Sequence, residues 1–291
     1  MKSVIIDKSD EKLELKGAKI YTANHTIPIK LIDILILTQD IQINPKNIIN
    51  ITNENIPILY LSKDSKKFAL TLPAISKNSE LKIIQYKALS NNIDIAKRLI
   101  YEKFTSHQKS LKEFDIDIDI SDQIVSLSLA KSIDEIMGIE GAFARNYFKH
   151  YFSMFERKLS KGFRSKNPPQ DPVNAMLSFV YMLTYHNITA KLYMRGFDPS
   201  ISYLHTPFRN HFALSSDIME TLRADINIFV ANLFLNNTLT TSDFTNKGGV
   251  YLKYTSRINL WKILKPFMNK INKKVNKQII KLKKEISKSK I

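Results

Sequence analysis

The chain has 291 residues, of which 44% are hydrophobic, with no cysteine and a net charge of +17. That length and apolar content suit one large or two ordinary globular domains and exclude a disordered chain. Without cysteine there is no disulfide framework and no thiolate metal site, and so large a cation excess calls for an anionic partner, nucleic acid first.

The N-terminus, Met1 to Asp7, lacks the long apolar stretch of a secretory signal. No apolar run approaches a membrane span, so a cytoplasmic protein with no membrane partner is expected. Charge is uneven: residues 1–78 carry a net +3 and residues 79–291 a net +14. Of the eight arginines, six lie between Arg145 and Arg223. In a chain that otherwise uses lysine, clustered guanidinium forks point to phosphate recognition in the second part.

Residues 2–75 read as β. Short apolar or alternating runs (Val4–Ile6, Leu13–Leu15, Ala18–Tyr21, Ile27–Ile29, Ile32–Leu37, Ile58–Leu61, Phe68–Leu72) are separated by polar turns. Asn44 followed by Pro45 predicts one short helix over 45–51. A linker over 76–80 then leads into helical periodicity over Glu80–Leu89 and Ile93–Leu111. Asp115, Asp117 and Asp119 alternate like the start of a calcium loop, but Ile120 stands where its glycine belongs and Ser126 where its glutamate belongs. The stretch is a connector.

Ser132 with Glu135 predicts a capping box and a short helix that breaks near Gly138. Glu140 then opens a second helix through Phe155, whose rings Tyr147, Phe148, Tyr151, Phe152 and Phe155 recur at core spacing. Asp171-Pro172 starts a helix that Gly196 ends. A further helix is expected over 212–236, with Asp217, Glu220 and Arg223 on one face. Gly248-Gly249 predicts a hairpin, and helix resumes at Ser256. The last thirty residues hold eleven lysines and one acid, with a thin stripe of Ile271, Val275, Ile279 and Leu282. They read as a frayed basic helix tracking a phosphate backbone, or as a solvated tail. The fold class is α+β: a small β-sandwich-like domain over 1–75, then a larger all-α domain over 81–291.

Within 138–220, Glu140, His205 and Glu220 offer a mixed oxygen and nitrogen shell that suits Mg²⁺ or Mn²⁺. Phosphodiester chemistry needs positive charge on the phosphate, a deprotonated nucleophile and a stabilised leaving oxygen, all of which a divalent metal serves.

The order of the motifs is similar to that of the CRISPR-associated integrase, Cas-one. Glu140-Gly141, Ala144-Arg145 and Tyr147-Phe148 resemble its glutamate motif, and Arg164, Pro168-Pro169, Asp171-Pro172, Asn174, Leu177–Phe179 and Tyr181 its next block. Gly196, Asp198-Pro199 and Leu204-His205 resemble its histidine block, Leu214, Asp217–Glu220 and Leu222-Arg223 its last acidic block, and Gly248–Leu252 its C-terminal turn. Ser202 and Ala224 depart from that pattern, where the family usually has Gly and Pro. The resemblance implies Glu140, His205 and Glu220 as catalytic metal ligands, with Asp217 as a supporting acid. Arg145, Arg164, Lys166, Asn174, Tyr181, Arg209 and Arg223 are the expected DNA-binding residues. It further implies a homodimer joined through the β-domains and a complex with the small partner Cas-two. That assembly inserts short double-stranded DNA into a CRISPR repeat array by attack of a 3′-hydroxyl. A related transposon-encoded integrase and a non-catalytic DNA-bridging protein are the alternatives.

Overall fold

The computed structural model describes residues 2–7, 12–22, 25–38, 41–62, 67–74, 78–206 and 211–288. Strands β1 (Lys2–Ile6), β2 (Lys12–Lys16), β3 (Lys19–Tyr21), β4 (Thr26–Pro28), β5 (Ile32–Thr38) and β6 (Gln42–Ile43) precede helix α1 (Pro45–Asn53). Strands β7 (Ile58–Leu61) and β8 (Phe68–Thr71) follow it. They form two four-stranded sheets, ordered β1-β5-β7-β8 and β4-β3-β2-β6. The first is parallel from β1 to β7 and antiparallel at β8. The Asn44 side chain caps α1, accepting from Lys46 N at 2.9 Å with Pro45 at the first position.

The unbroken apolar run of β5 has a physical reason: both of its faces are covered. Leu35 and Leu37 face a core shared with Val4, Ile6, Leu13, Ile20 and Ile51. Ile34 and Ile36, with Leu59 and Leu61, face the other way and join the core of the helices. The sheet is thus a middle layer, its β8 ending at Thr71 and the first helix of the larger part beginning at Ser79.

That part contains α2 (Ser79–Lys87), α3 (Asn92–Lys112), α4 (Ser121–Leu129), α5 (Ile133–Ser153), α6 (Pro172–Met194), α7 (Ala213–Glu220), α8 (Arg223–Leu235) and α9 (Tyr254–Lys288). Among the described residues its strands are those of one antiparallel hairpin, β9 (Phe244–Asn246) with β10 (Val250–Leu252), where the glycine pair places a turn. Asp171 caps α6, and Gly196 follows it at φ +85°. A Cβ there would stand 2.4 Å from that of Asn78, so only glycine fits this approach.

Four expectations need correction. First, α5 is continuous through Gly138 and Gly141. A helical glycine costs only about 1 kcal/mol, less than the packing of Ile136, Phe143 and Tyr147 on either side contributes. The Ser132 cap holds, accepting from Glu135 N at 3.2 Å, but Glu135 reaches Lys131 N at 2.7 Å, one residue beyond a capping box. Second, the expected helices omit α4, which follows the connector over 114–120 and buries Leu127 in the core. Third, the helix expected over 212–236 breaks at Thr221-Leu222 into α7 and α8. Fourth, the C-terminal segment is no frayed tail. Leu260, Leu264, Met268, Ile271, Val275, Ile279, Leu282 and Ile286 of α9 are all buried in the helical core.

Polar ties fix α9 on every side. Lys274 Nζ meets Asp225 at 2.6 Å, Arg98 meets Glu285 at 2.8 Å, and Asn272 donates to Ser3 Oγ at 2.9 Å. The strongest tie joins it to the end of β1: Asp7 accepts from Arg257 Nε at 3.1 Å, and also from Trp261 Nε1 and Thr38 Oγ1. Both side chains of the pair are nearly inaccessible, at 4% for Asp7 and 2% for Arg257. Arg257→Met therefore leaves a buried carboxylate short of its countercharge and should destabilise the fold by about 3 kcal/mol. Urea unfolding should show a lower midpoint at unchanged slope, and a midpoint equal to wild type would show that the pair does not hold the fold.

Candidate metal and DNA site

The site forms where α3, α5, the 198–206 loop and the α7–α8 junction meet. Glu140 is on α5, two turns in from the cap. Its partly buried carboxylate accepts from Lys103 Nζ of α3. Glu220, the last residue of α7, is 3% exposed. Its Oε2 lies 2.6 Å from the same Lys103 Nζ and its Oε1 2.8 Å from Arg223 Nε. Burial alone would raise the Glu220 pKa, but Arg223, Lys103 and His205 overcome it and hold the carboxyl ionised well below the usual range.

His205 faces this pair from the loop, its Nε2 3.8 Å from Glu220 Oε1. Its orientation is set by Asp217, which is fully buried. Asp217 Oδ1 accepts from His205 Nδ1 at 2.8 Å and His205 N at 3.0 Å; Oδ2 accepts from Tyr203 N at 2.7 Å and Leu204 N at 3.1 Å. Four donors saturate this carboxylate. A proton on Nδ1 leaves the Nε2 lone pair pointing toward Glu220, the carboxylate–histidine arrangement that presents an imidazole to a metal. Ser202, unusual for the motif, donates its hydroxyl to the His205 carbonyl and tightens the same loop.

Sequence reading missed two residues. Gln85 on α2 is fully buried. It donates to the carbonyls of Asp198 and Ile201 at 2.8 and 2.9 Å and accepts from Asp198 N at 2.9 Å, so it clamps the loop that carries His205. Lys103 holds the two glutamates. Each sits in the apolar stripe of its helix, Gln85 with Leu81, Ile84 and Ala88, Lys103 with Leu99, Ile100, Phe104 and His107. A polar residue at such a position is the available signal. Behind Lys103, His107 donates from Nδ1 to the Lys103 carbonyl at 2.8 Å, and burial with the neighbouring ammonium pushes its pKa down to about 3.

The expected DNA-binding residues divide. Arg145 is exposed on α5, and with Lys149, Arg164 and Lys166 it lines a cleft alongside the glutamates. Lys166 also borders a cleft of about 350 Å³ that Lys103, Glu140, His205, Glu220 and Arg223 line. Arg164 turns partly inward, to Asn174 Oδ1 at 2.8 Å and Ser178 Oγ at 3.1 Å. Asn174 itself is buried and fully engaged: its oxygen also accepts from Ser165 N, and its amide donates to Phe163 O and Asp171 Oδ2. It shapes the 163–171 loop and leaves no group for a ligand. Tyr181 points its hydroxyl at Asn227 and offers its ring to Arg223 at 4.7 Å and Arg164 at 5.7 Å. It is a platform for those arginines, 6% exposed. Arg209 lies outside the described residues.

Among the described residues no three carboxylate or imidazole groups converge closely enough to hold an ion as they stand. Lys103 Nζ lies in contact with both Glu140 and Glu220. The donor set nevertheless fits a divalent cation. Two carboxylates gather around one positive charge, and an imidazole with a free Nε2 lone pair stands beside them.

The chain matches the family model described as CRISPR associated protein Cas1 over residues 2–265. It is 30% identical over 280 residues to a CRISPR-associated endonuclease Cas1 of Thermodesulfovibrio yellowstonii, covering 88% of each chain. Its fold is similar to that of a Cas1 protein from Thermotoga maritima, with TM-score 0.89 and 20% identity over 100% of this chain and 98% of that one. A casposase bound to integration product shares the fold at TM-score 0.75 and 21% identity, over 97% of this chain and 82% of that one. A Cas1 endonuclease thus shares nearly the full length of the sequence, and the chain belongs to the CRISPR-associated Cas1 family.

Proposed function

We propose that this protein is a divalent-metal-dependent DNA endonuclease and integrase that inserts short double-stranded DNA into a CRISPR repeat array. The observation that carries this reading is that Glu140, Glu220 and an Asp217-oriented His205 line one cleft bordered by cations. Glu140, Glu220 and His205 would hold Mg²⁺ or Mn²⁺, which supplies concentrated positive charge to the phosphate under attack. Arg145, Lys149 and Lys166 would neutralise flanking phosphates and fix the strand. Arg223 holds Glu220 in place. The incoming 3′-hydroxyl attacks phosphorus: one O–P bond forms, the repeat's P–O3′ bond breaks, the attacking hydroxyl loses its proton and the departing 3′-oxygen gains one. No covalent enzyme intermediate is needed. A homodimer joined through the β-domains and a complex with Cas2 complete the reading, as family expectations. Among the described residues no helix is long and apolar enough to cross a membrane.

Glu140→Ala should abolish metal-dependent nicking and strand transfer while the protein keeps its stability within about 1 kcal/mol, because Lys103 keeps Glu220 as partner. Gel assays on a repeat-bearing plasmid and an unfolding curve measure this. Full activity in the variant would take Glu140 out of the site and return the reading to a DNA-bridging protein.

The reaction should also show an acid limit set by His205. Burial pulls its pKa down, but the Asp217 hydrogen bond and the charges of Asp217 and Glu220 outweigh that and raise it above 6.5. Imidazole binds metal only when neutral. At limiting Mn²⁺ the activity should therefore begin to fall above pH 6.5 and continue falling toward acid, and more Mn²⁺ should move the limb to lower pH. A limb that ignores metal concentration would exclude His205 as a ligand.

The exposed cations beside the site are expected to carry part of the salt-dependent affinity, whatever the exposed lysines of α9 add. Replacing Arg145 and Lys149 together by Gln should flatten the log–log dependence of DNA binding on salt by roughly 2, since each phosphate left without its cation takes about 0.9 from the slope. Fluorescence anisotropy across a salt series measures it, and an unchanged slope would place the DNA elsewhere.

A further inference from the structure

We propose that the Lys103 ammonium is a tethered stand-in for the divalent ion, holding Glu140 and Glu220 together in the metal-free protein and withdrawing from between them when the ion enters. This rests on the metal reading above and adds a residue and a competition to it.

Lys103 reaches the site from α3 with a side chain only 6% exposed, and its Nζ touches Glu140 Oε1 and Glu220 Oε2 at once. No residue of α5 or α7 could keep those two carboxylates side by side without an interposed cation, since like charges in a dry site repel strongly. Glu140 and Glu220 would hold an ion through the carboxylates that Lys103 now holds. Two cations cannot share that point, so one excludes the other.

Counting only groups in direct contact, the carboxylates of Glu140, Glu220 and Asp217 outnumber the cations Lys103 and Arg223 while His205 is neutral, so a dication matches the contacting carboxylates better than the ammonium does; Arg164 and Lys166 stand farther out in the same cleft. Arg223 is not the group that moves. It is bound through Nε to Glu220 Oε1 and lies over the Tyr181 ring, a two-sided hold that leaves the Oε2 edge open. Lys103 has a flexible four-carbon stem, and the cleft it borders provides the space into which its head can swing, toward the phosphate-binding side where Lys166 stands. Its backbone remains fixed by the His107 hydrogen bond.

The test is Mn²⁺ binding by calorimetry, with thermal unfolding in parallel, on full-length wild type, Lys103→Met and Lys103→Arg. Lys103→Met should melt lower than wild type without metal, bind Mn²⁺ about 10-fold or more tightly, and gain more melting temperature from it. Lys103→Arg, which keeps the charge, should stay near wild type. If Lys103→Met is unfolded until Mn²⁺ is added, that rescue supports the competition, and Lys103→Gln supplies the calorimetry. Equal or weaker Mn²⁺ affinity in the neutral variants, with wild-type binding intact, overturns the stand-in role and leaves the metal site standing. Absence of Mn²⁺ binding in wild type and all variants overturns both.

Discussion

The site depends on one constraint: two carboxylates from different helices, Glu220 buried and Glu140 partly so, lie side by side, and something positive must lie between them. Coulomb repulsion at such distances in a poorly hydrated setting is large enough to separate the helices or to protonate one acid. Lys103 and Arg223 settle this in opposite ways. Arg223 follows Glu220 by three residues, so it grips one carboxylate oxygen from within the same local turn. Lys103 comes from a third helix and touches both acids, so it ties α3, α5 and α7 into one unit. The break at Thr221-Leu222 belongs to the same arrangement: it ends α7 at Glu220 and lets Arg223 begin α8.

Burial turns this ionic cluster from a surface feature into a determinant of the fold. Exposed ion pairs contribute little, whereas a buried charge that loses its partner is strongly destabilising. Among the described residues the chain uses such pairs more than once, Lys191 with Asp33 included. Lys103 with its glutamates joins the helices to one another, and Asp7 with Arg257 joins the end of β1 to α9. Asp7 is held by a further hydrogen bond from Trp261 and Glu220 by one from Arg223, which is what makes burial of charge tolerable.

The architecture was largely legible because its signals are local. Alternating apolar runs, Asn44-Pro45, Asp171-Pro172 and the glycine pair each dictate a nearby conformation, and each element is found. The failures share a cause: tertiary contact overrides a local cue. Gly138 signals a break, but flanking aromatics packed in the core carry the helix through. Eleven lysines signal a solvated tail, but a stripe of one apolar residue per turn, with Trp261 and Met268, is enough to seat α9 in the core while the lysine stems run along its edges. The acids and imidazole of the site were readable as residue types. Their partners were not, because Lys103 and Gln85 lie far from them in sequence and look like interruptions in amphipathic helices.

The reach of those partners explains why a β-domain without chemistry of its own matters to the site. The sheet's second face packs on the helices, and α2 is the first helix that follows it. Asn78 caps α2 through Leu81 N and at the same time lies against Gly196, which fixes α2 beside the end of α6. From that fixed position Gln85 grips the 198–201 backbone, and its own carbonyl accepts from the Tyr203 hydroxyl at 3.1 Å. Tyr203 and Leu204 then present their amides to Asp217, and His205 follows in an orientation that lets Nδ1 reach the same carboxylate. The imidazole is therefore positioned from two ends, by α2 on the outside and by α7 beneath. A loop side chain held in one orientation beside helix-borne carboxylates needs such double support, and here the junction between the two parts of the chain provides half of it.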